Sequence, residues 1–273
     1  MAIIAISRQV AALGDEISTA LAEEIGYDFV NRKILENRIV ELGFPAEKLS
    51  KYDERKPKFF ASLAKDRDEY LDYVQTAVLE YASKNNCILI GRGSFAILEN
   101  IPNVLAVRFV ANDEVRKERL MKEFDWAEKQ ALQRINESDA NRIGFHKSFF
   151  NIDICNPANY HMVLNTGIFN EKTAVSMLKS LVGIFSTKEN ETYGNKIISE
   201  MLTCQRLINQ LIFEHNLSVN FLHAKMVEGM IELHGIADSS ALSERAVHIA
   251  SSILPDYKIK SCISVVQDFK AYN

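Results

Sequence analysis

Cysteine is scarce in this 273-residue chain and never closely spaced: Cys87, Cys155, Cys204 and Cys262 lie far apart. No C-x-x-C pair exists, which argues against a zinc site or a disulfide framework and leaves free thiols in a reducing cytoplasm. No apolar run approaches the ~18 residues of a membrane span. The first residues carry no charged n-region, so no secretion signal is expected. Positive charge is not in excess: 32 Lys and Arg stand against 36 Asp and Glu, a net −4 at pH 7. That balance excludes an overall nucleic-acid footprint but permits a local basic pocket. The six histidines, His146, His161, His215, His223, His234 and His248, contain no H-x-x-x-H or H-E-x-x-H pair, and no metal site is assigned. No nucleophile elbow announces a Ser–His–Asp hydrolase. What remains, 47% hydrophobic and 25% charged residues, is ordinary for a globular protein and long enough for two domains.

A further absence is local. Ile3 to Ser7 reads as a buried strand, followed by a tight turn and a helix with Ile17, Leu21 and Ile25 at helical spacing, stopped by Gly26. A P-loop opens this way, with G-x-x-x-x-G-K-[ST] between strand and helix. Here the turn from Ser7 to Asp15 keeps one glycine, Gly14, and has no lysine; Asp15 stands close to where a cation is needed. Taken alone, the periodicity favours an ordinary turn between a strand and a helix.

Farther along, Tyr27 to Val30 fits a short strand, and Asn31 fits the cap of a helix to about Leu42. Lys51 to Lys58 reads as a solvated connection, followed by a long helix whose apolar face runs from Phe60 to Tyr81. Cys87–Ile90 and Val104–Val110 are continuous apolar runs, as expected of strands buried on both faces. Asp125 and Glu128 suggest a capping box for a charged helix to about Arg142, and residues 144–158 read as a mobile loop. Tyr160 to Leu164 is a last strand before a helix over 170–185. The alternation predicts an α/β domain, residues 1–185, with a mostly parallel sheet and helices on both faces. Ligands in such sheets sit beyond the C-terminal strand ends: Ser7–Asp15, Gly91–Ser94, the segment after Val110, and Asn165–Gly167. After a polar stretch, Ser186 to Thr192, residues 195–273 read as a separate small α+β domain in the order αββαβ.

Specific residues carry a resemblance. Ile4-Ala5-Ile6-Ser7-Arg8-Gln9, then Gly14, Ile17 and Leu21–Tyr27 resemble the cytidylate-kinase-like family of P-loop kinases, which reads I-S-R-x-x-G-S-G-G-[RK]-E-I here. Asn31–Leu35, Ile90–Gly93 and Asn159–Thr166 continue the likeness over roughly residues 1–185. The resemblance implies ATP-dependent phosphorylation of a nucleoside monophosphate such as CMP, with magnesium, and assigns Arg8, Gly14, Arg92 and Arg142 to nucleotide binding. No catalytic residue is named. Arg92 has a bland alternative, a surface arginine in a turn. Arg116, Arg119 and Arg134 read as solvated helix faces. Asp113 and Asp139 could hold magnesium, and the bland alternative is surface caps.

The departures from the pattern fall on the chemistry. Ala11 and Leu13 replace glycines that let backbone N–H groups curl around phosphate without Cβ clashes. Asp15 replaces a base, Asn31 an acid, and His161 another acid. Catalysis is therefore expected to be weakened or lost.

In the C-terminal part, Val227–Ala237 and Ser243–Val247 resemble a BON domain, with Glu228 before the turn glycine. That resemblance implies a regulatory or oligomerising module, and a homo-oligomer through it is an expected partner state. Two readings stay open: a cytidylate-type kinase with a degenerate P-loop, or a non-catalytic nucleotide sensor or scaffold with the BON-like domain as output.

Overall fold

The computed structural model describes residues 2–49, 52 and 63–266, the side chains of 63–66 excepted. The expected connection from Lys51 to Lys58 lies outside the described residues apart from Tyr52, as does Phe60. The chain divides into two compact units, residues 1–195 and 196–273.

In the first unit β1 (Ile3–Arg8), β2 (Asp28–Val30), β3 (Cys87–Ile90), β4 (Val104–Val110) and β5 (Met162–Asn165) form a parallel sheet in the order β2-β3-β1-β4-β5. β1 is the middle strand, and all six of its residues are buried. This is why its sequence is a continuous apolar run rather than an alternation. Ile4, Ile6, Ile88, Ile90, Leu105 and Val107 point to one face. They pack there on α1 (Gly14–Ile25) through Ile17 and Leu21, and on α8 (Glu171–Phe185) through Ala174, Val175 and Leu178. Burying a side chain such as Leu21 contributes about 1.5–3 kcal/mol. On the opposite face Ile3, Ala5 and Leu89 are equally buried, and α4 (Leu63–Ala82) contacts β3.

The helix ends follow their sequence signals. Gly26 closes α1 in the left-handed conformation, φ 68°. Asn31 starts α2 (Arg32–Glu41) by accepting the Ile34 N–H, and Asn112 and Asn170 start α6 (Asp113–Phe124) and α8 in the same way. Two short helices, α3 (Ala46–Leu49) and α5 (Ser94–Ile97), complete the connections before β4.

The region after α6 differs from expectation. Asp125 is the left-handed C-cap of α6 rather than an N-cap, and α7 starts at Glu128 behind Ala127, whose N–H is accepted by the Gln130 side chain. α7 then runs to Phe150, so residues 144–150 are helix and not loop. The reason is aromatic packing: Phe145, His146 and Phe149 are buried, and the rings of Phe145 and Phe149 lie 4.6 Å apart. Phe150 faces Gly93, where an added Cβ would lie 2.3 Å from its ring.

A long helix, α9 (Lys188–Asn209), begins within the first unit and ends within the second. The polar stretch Ser186 to Thr192 is therefore mostly its first turn, not an extended linker. In the second unit the chain forms a hairpin of β6 (Asn220–Val227) and β7 (Met230–Ala237), then α10 (Ser240–Ile253) and β8 (Lys258–Val265). The three strands make a mixed sheet, β6 antiparallel and β8 parallel to the central β7. The hairpin turn, Glu228-Gly229, has φ of 49° and 79°, the two positive values a type I′ turn needs. Leu207, Ile208, Leu211, Ile231, Leu233, Ala246, Ala250 and Ile263 fill one face of this sheet. No helix among the described residues is long and apolar enough to cross a membrane.

Candidate functional site

The site lies at the C-terminal ends of the first unit's strands. Its centre is the turn from β1 into α1. Ala11 and Leu13 hold φ of 57° and 55°, so the chain keeps a left-handed curl at the two positions where glycine was missed. Such a conformation costs a non-glycine residue about 1–2 kcal/mol. The compensation is visible. Ala11 and Val10 pack against Leu120, Ala131 and Ile135 of α6 and α7, while Leu13 packs on the main core. Polar ties add to this: Arg119 donates to the Ala11 carbonyl at 2.9 Å, and the Thr166 hydroxyl donates to the Ala12 carbonyl at 3.1 Å. Arg119 also donates to the Thr166 carbonyl at 2.6 Å. α6 and the end of β5 thus clamp the outside of the loop.

The first bond of α1 runs from the Ile17 N–H to the Leu13 carbonyl, and no side chain caps the helix. The N–H groups of Gly14, Asp15 and Glu16 therefore have no intrahelical acceptor, the arrangement that receives anions in P-loops. The local charge opposes that use. Asp15 and Glu16 occupy the first turn, and Asp15 is 61% exposed on its side chain. Its carboxylate lies 3.9 Å from the buried Arg8; the distance and the exposure of Asp15 limit the pair to no more than about 1 kcal/mol. Gly14 serves packing rather than curl: a Cβ there would lie 2.6 Å from Cγ of the buried Arg8.

Arg92 follows β3 between Gly91 and Gly93, and all three residues have positive φ. It is fully buried, 0% exposed, which removes the surface-arginine alternative. Its guanidinium pairs with Glu36 of α2 and donates to the Tyr52 carbonyl at 3.1 Å. Arg142 sits on α7 and donates back to Ser138 at 2.9 Å. Arg116 is not a solvated residue: it is 2% exposed and reaches both carboxylate oxygens of Asp139, at 3.1 and 2.9 Å, and Asp113 at 2.5 Å. Asp113, in the first turn of α6, and Asp139 of α7 thus both accept from Arg116. Arg119 is likewise engaged, and burial pushes its pKa below the ordinary arginine value. Arg134 is exposed, as expected.

Sequence reasoning missed Arg108. It lies within the apolar run of β4, beside Ser7 of β1 in register. It is 6% exposed, donates to the Ser7 hydroxyl at 2.8 Å and sits over the Tyr160 ring at 5.7 Å. Among the described residues no carboxylate pairs with it. A buried cation whose neighbours are hydroxyls and a ring is costly unless an anion joins it. The signal was present: an arginine inside an otherwise apolar strand.

His161 precedes β5. Its Nδ1 accepts the Ala106 N–H at 2.9 Å, which fixes the neutral tautomer protonated on Nε2. Partial desolvation of the ring, which lies 4.8 Å from the Phe185 ring, lowers its pKa below the ordinary 6.5 although the residue reaches solvent. The unfolded chain then takes up this proton first as pH falls. The His161 contribution is fully present above about pH 6.5 and is lost as pH falls through the lower folded pKa. Denaturant unfolding of the wild type and His161→Asn at pH 8 and pH 5 checks this. The stability difference between the two should shrink on acidification; a difference that grows would contradict the assignment.

Comparison with known proteins adds to this geometry. Residues 3–168 match the sequence model of the "Cytidylate kinase-like family". A protein described as "Cytidylate kinase" from Methanocaldococcus jannaschii is 31% identical over 148 residues, covering 51% of this chain and 77% of the relative. Among solved structures, an uncharacterized protein from Eubacterium ventriosum aligns with a TM-score of 0.53 at 19% identity. The alignment covers 67% of this chain and 99% of that one. A shikimate kinase from Bacteroides thetaiotaomicron aligns at a TM-score of 0.40 and 13% identity, over 67% of this chain and 98% of that one.

Proposed function

The chain belongs to the cytidylate kinase-like family, and from that premise we propose that its first unit is a nucleotide-binding kinase relative in which phosphoryl transfer is weakened or lost. The observation that carries this reading is the pairing of a retained loop curl with a reversed charge. Ala11 and Leu13 still adopt the left-handed backbone of a phosphate cradle. The first turn of α1 nevertheless holds Asp15 and Glu16 and no base.

Phosphoryl transfer is mostly positioning plus neutralisation of charge on the phosphates. ATP and magnesium, which the family implies, fit this turn poorly, because a triphosphate would meet the Asp15 carboxylate where the family has a base. Arg108 and Ser7 suit the phosphate of a nucleoside monophosphate such as CMP, since a guanidinium binds phosphate oxygens in a fork. In this reading Arg8 and the Gly14 N–H lie beside that phosphate, while Arg92 and Arg142 hold the walls. The second unit is proposed as a BON-like regulatory or oligomerising module. That part rests on the Val227–Ala237 hairpin pattern and its αββαβ order.

A thermal-shift and coupled-turnover panel tests this. A monophosphate at 100 times its Kd should stabilise the protein by about 2.7 kcal/mol. ATP with magnesium should shift melting little, and turnover should fall far below the roughly 1–100 s⁻¹ typical of kinases. Turnover in that range would refute the loss of catalysis, and no shift with any nucleotide would refute binding.

A further inference from the structure

The second unit carries a cluster that the nucleotide reading does not use. β7 is the central strand of its sheet, and its residues alternate: Ile231, Leu233 and Ala237 are buried in the core, while Glu232 and His234 lie on the other face. On β8 the register partner of His234 is Cys262, and that of Glu232 is Lys260. Three different chemistries therefore meet on one sheet face, and each offers a ligand atom within 4.8 Å of the other two.

We propose that Glu232, His234 and Cys262 form a binding site for a divalent transition-metal ion, with zinc the best match. A thiolate, an imidazole and a carboxylate are the donor types zinc takes, in tetrahedral geometry, with the fourth position left to a further ligand. Two negative ligands and one neutral one also balance a doubly charged ion.

Three details support this assignment. The His234 Nε2 is buried and makes no hydrogen bond, although the Glu232 Oε2 is only 3.4 Å away. A buried ring nitrogen that faces a carboxylate oxygen without a well-formed hydrogen bond to it leaves room for an ion between the two. Next, Lys260 holds the other carboxylate oxygen of Glu232, Oε1, at 2.7 Å, which leaves Oε2 on the His234 side. Ligating carboxylates are commonly oriented by such an outer partner. Last, His223 of β6 flanks His234 from the opposite strand, with the two rings stacked at 5.1 Å. Its Nδ1 lies 2.9 Å from the Phe221 carbonyl, so the donor is Nδ1 and Nε2 keeps its lone pair. His223 thus covers one face of the His234 ring and leaves the three-residue cluster to Glu232, His234 and Cys262. The ligands come from two strands by register, which is why chain spacing such as H-x-x-x-H did not reveal them.

Metal binding must displace the thiol proton, so affinity should rise with pH. The test uses the full chain, reduced and stripped of metal by chelator. Cobalt(II) titration should give a thiolate-to-cobalt charge-transfer band that saturates at one ion per chain. Zinc, measured against a chromophoric chelator, should bind at least tenfold more weakly to Cys262→Ser and to His234→Gln. Both residues are half-buried and outside the hydrophobic core, and unchanged apo melting confirms that the variants fold. Cys155→Ser, which removes an exposed thiol of the first unit, should behave as wild type. Cobalt uptake without the thiolate band, or wild-type zinc affinity in both site variants, overturns the proposal. Nucleotide binding plays no part in either readout.

Discussion

Arg92→Ala is expected to destabilise the first unit by about 3–5 kcal/mol, the loss seen when one partner of a buried ion pair is removed. The guanidinium is fully buried, pairs with Glu36 and donates to the Tyr52 carbonyl. Truncation leaves a cavity at the end of β3 and a half-buried carboxylate with one partner fewer, since Arg32 still lies 2.9 Å from Glu36. At roughly 2–4 °C per kcal/mol for a unit of this size, melting should fall by about 10 °C. Removing Glu36 as well should recover part of the loss, because the two residues share one interaction. Arg108→Gln makes the informative contrast. Arg108 has no carboxylate partner among the described residues, so its removal should leave stability nearly unchanged and lower monophosphate affinity. Wild-type stability in Arg92→Ala would show that the pair contributes little.

The two arginines also mark how far the sequence could be read. Strands with uniform burial, β1, β3 and β4, were legible because a parallel strand covered on both faces needs an unbroken apolar run. The helix start at Asn31 was legible because its signal is local: a side-chain oxygen three residues before an N–H. The continuation of α7 through Phe150 was not, because its stability comes from rings that meet only in three dimensions. The same holds at the site. Ser7 and Arg108 are neighbours through the β1–β4 register, 101 residues apart in the chain. Arg119 could not be told from a solvated helix residue until the Ala11 carbonyl was placed beside it. Ala11 and Leu13 were read as obstacles to the loop curl, yet the curl is kept. Propensity was overridden by packing of their side chains and by the clamp from Arg119 and Thr166. Backbone geometry and charge have therefore diverged at this turn, and charge is the part that the residues alone described correctly: acids and no base in the first turn of α1.

That divergence makes Asp15→Lys the variant with the largest expected functional effect. The loop already has the backbone of a phosphate cradle, so restoring a base requires no rebuilding of the chain. A single well-placed contact to phosphate charge is worth about 2.7–4 kcal/mol in an enclosed site. Asp15 is exposed and solvent screens it, so the gain should be smaller, roughly tenfold to a hundredfold in affinity for ATP with magnesium. The fold should pay little for the change. An acid in the first turn of a helix contributes about 0.3–1 kcal/mol through the macrodipole, and a base there is unfavourable by a similar amount. The weak pair with Arg8 is also lost, which brings the expected destabilisation to about 1–2 kcal/mol. Calorimetric titration of wild type and Asp15→Lys with ATP and magnesium gives the affinity, and thermal unfolding gives the stability. Tighter binding with slightly lower melting would place the defect in charge alone. Unchanged affinity in a folded variant would mean that the Leu13 and Ala11 side chains, not Asp15, keep the triphosphate out.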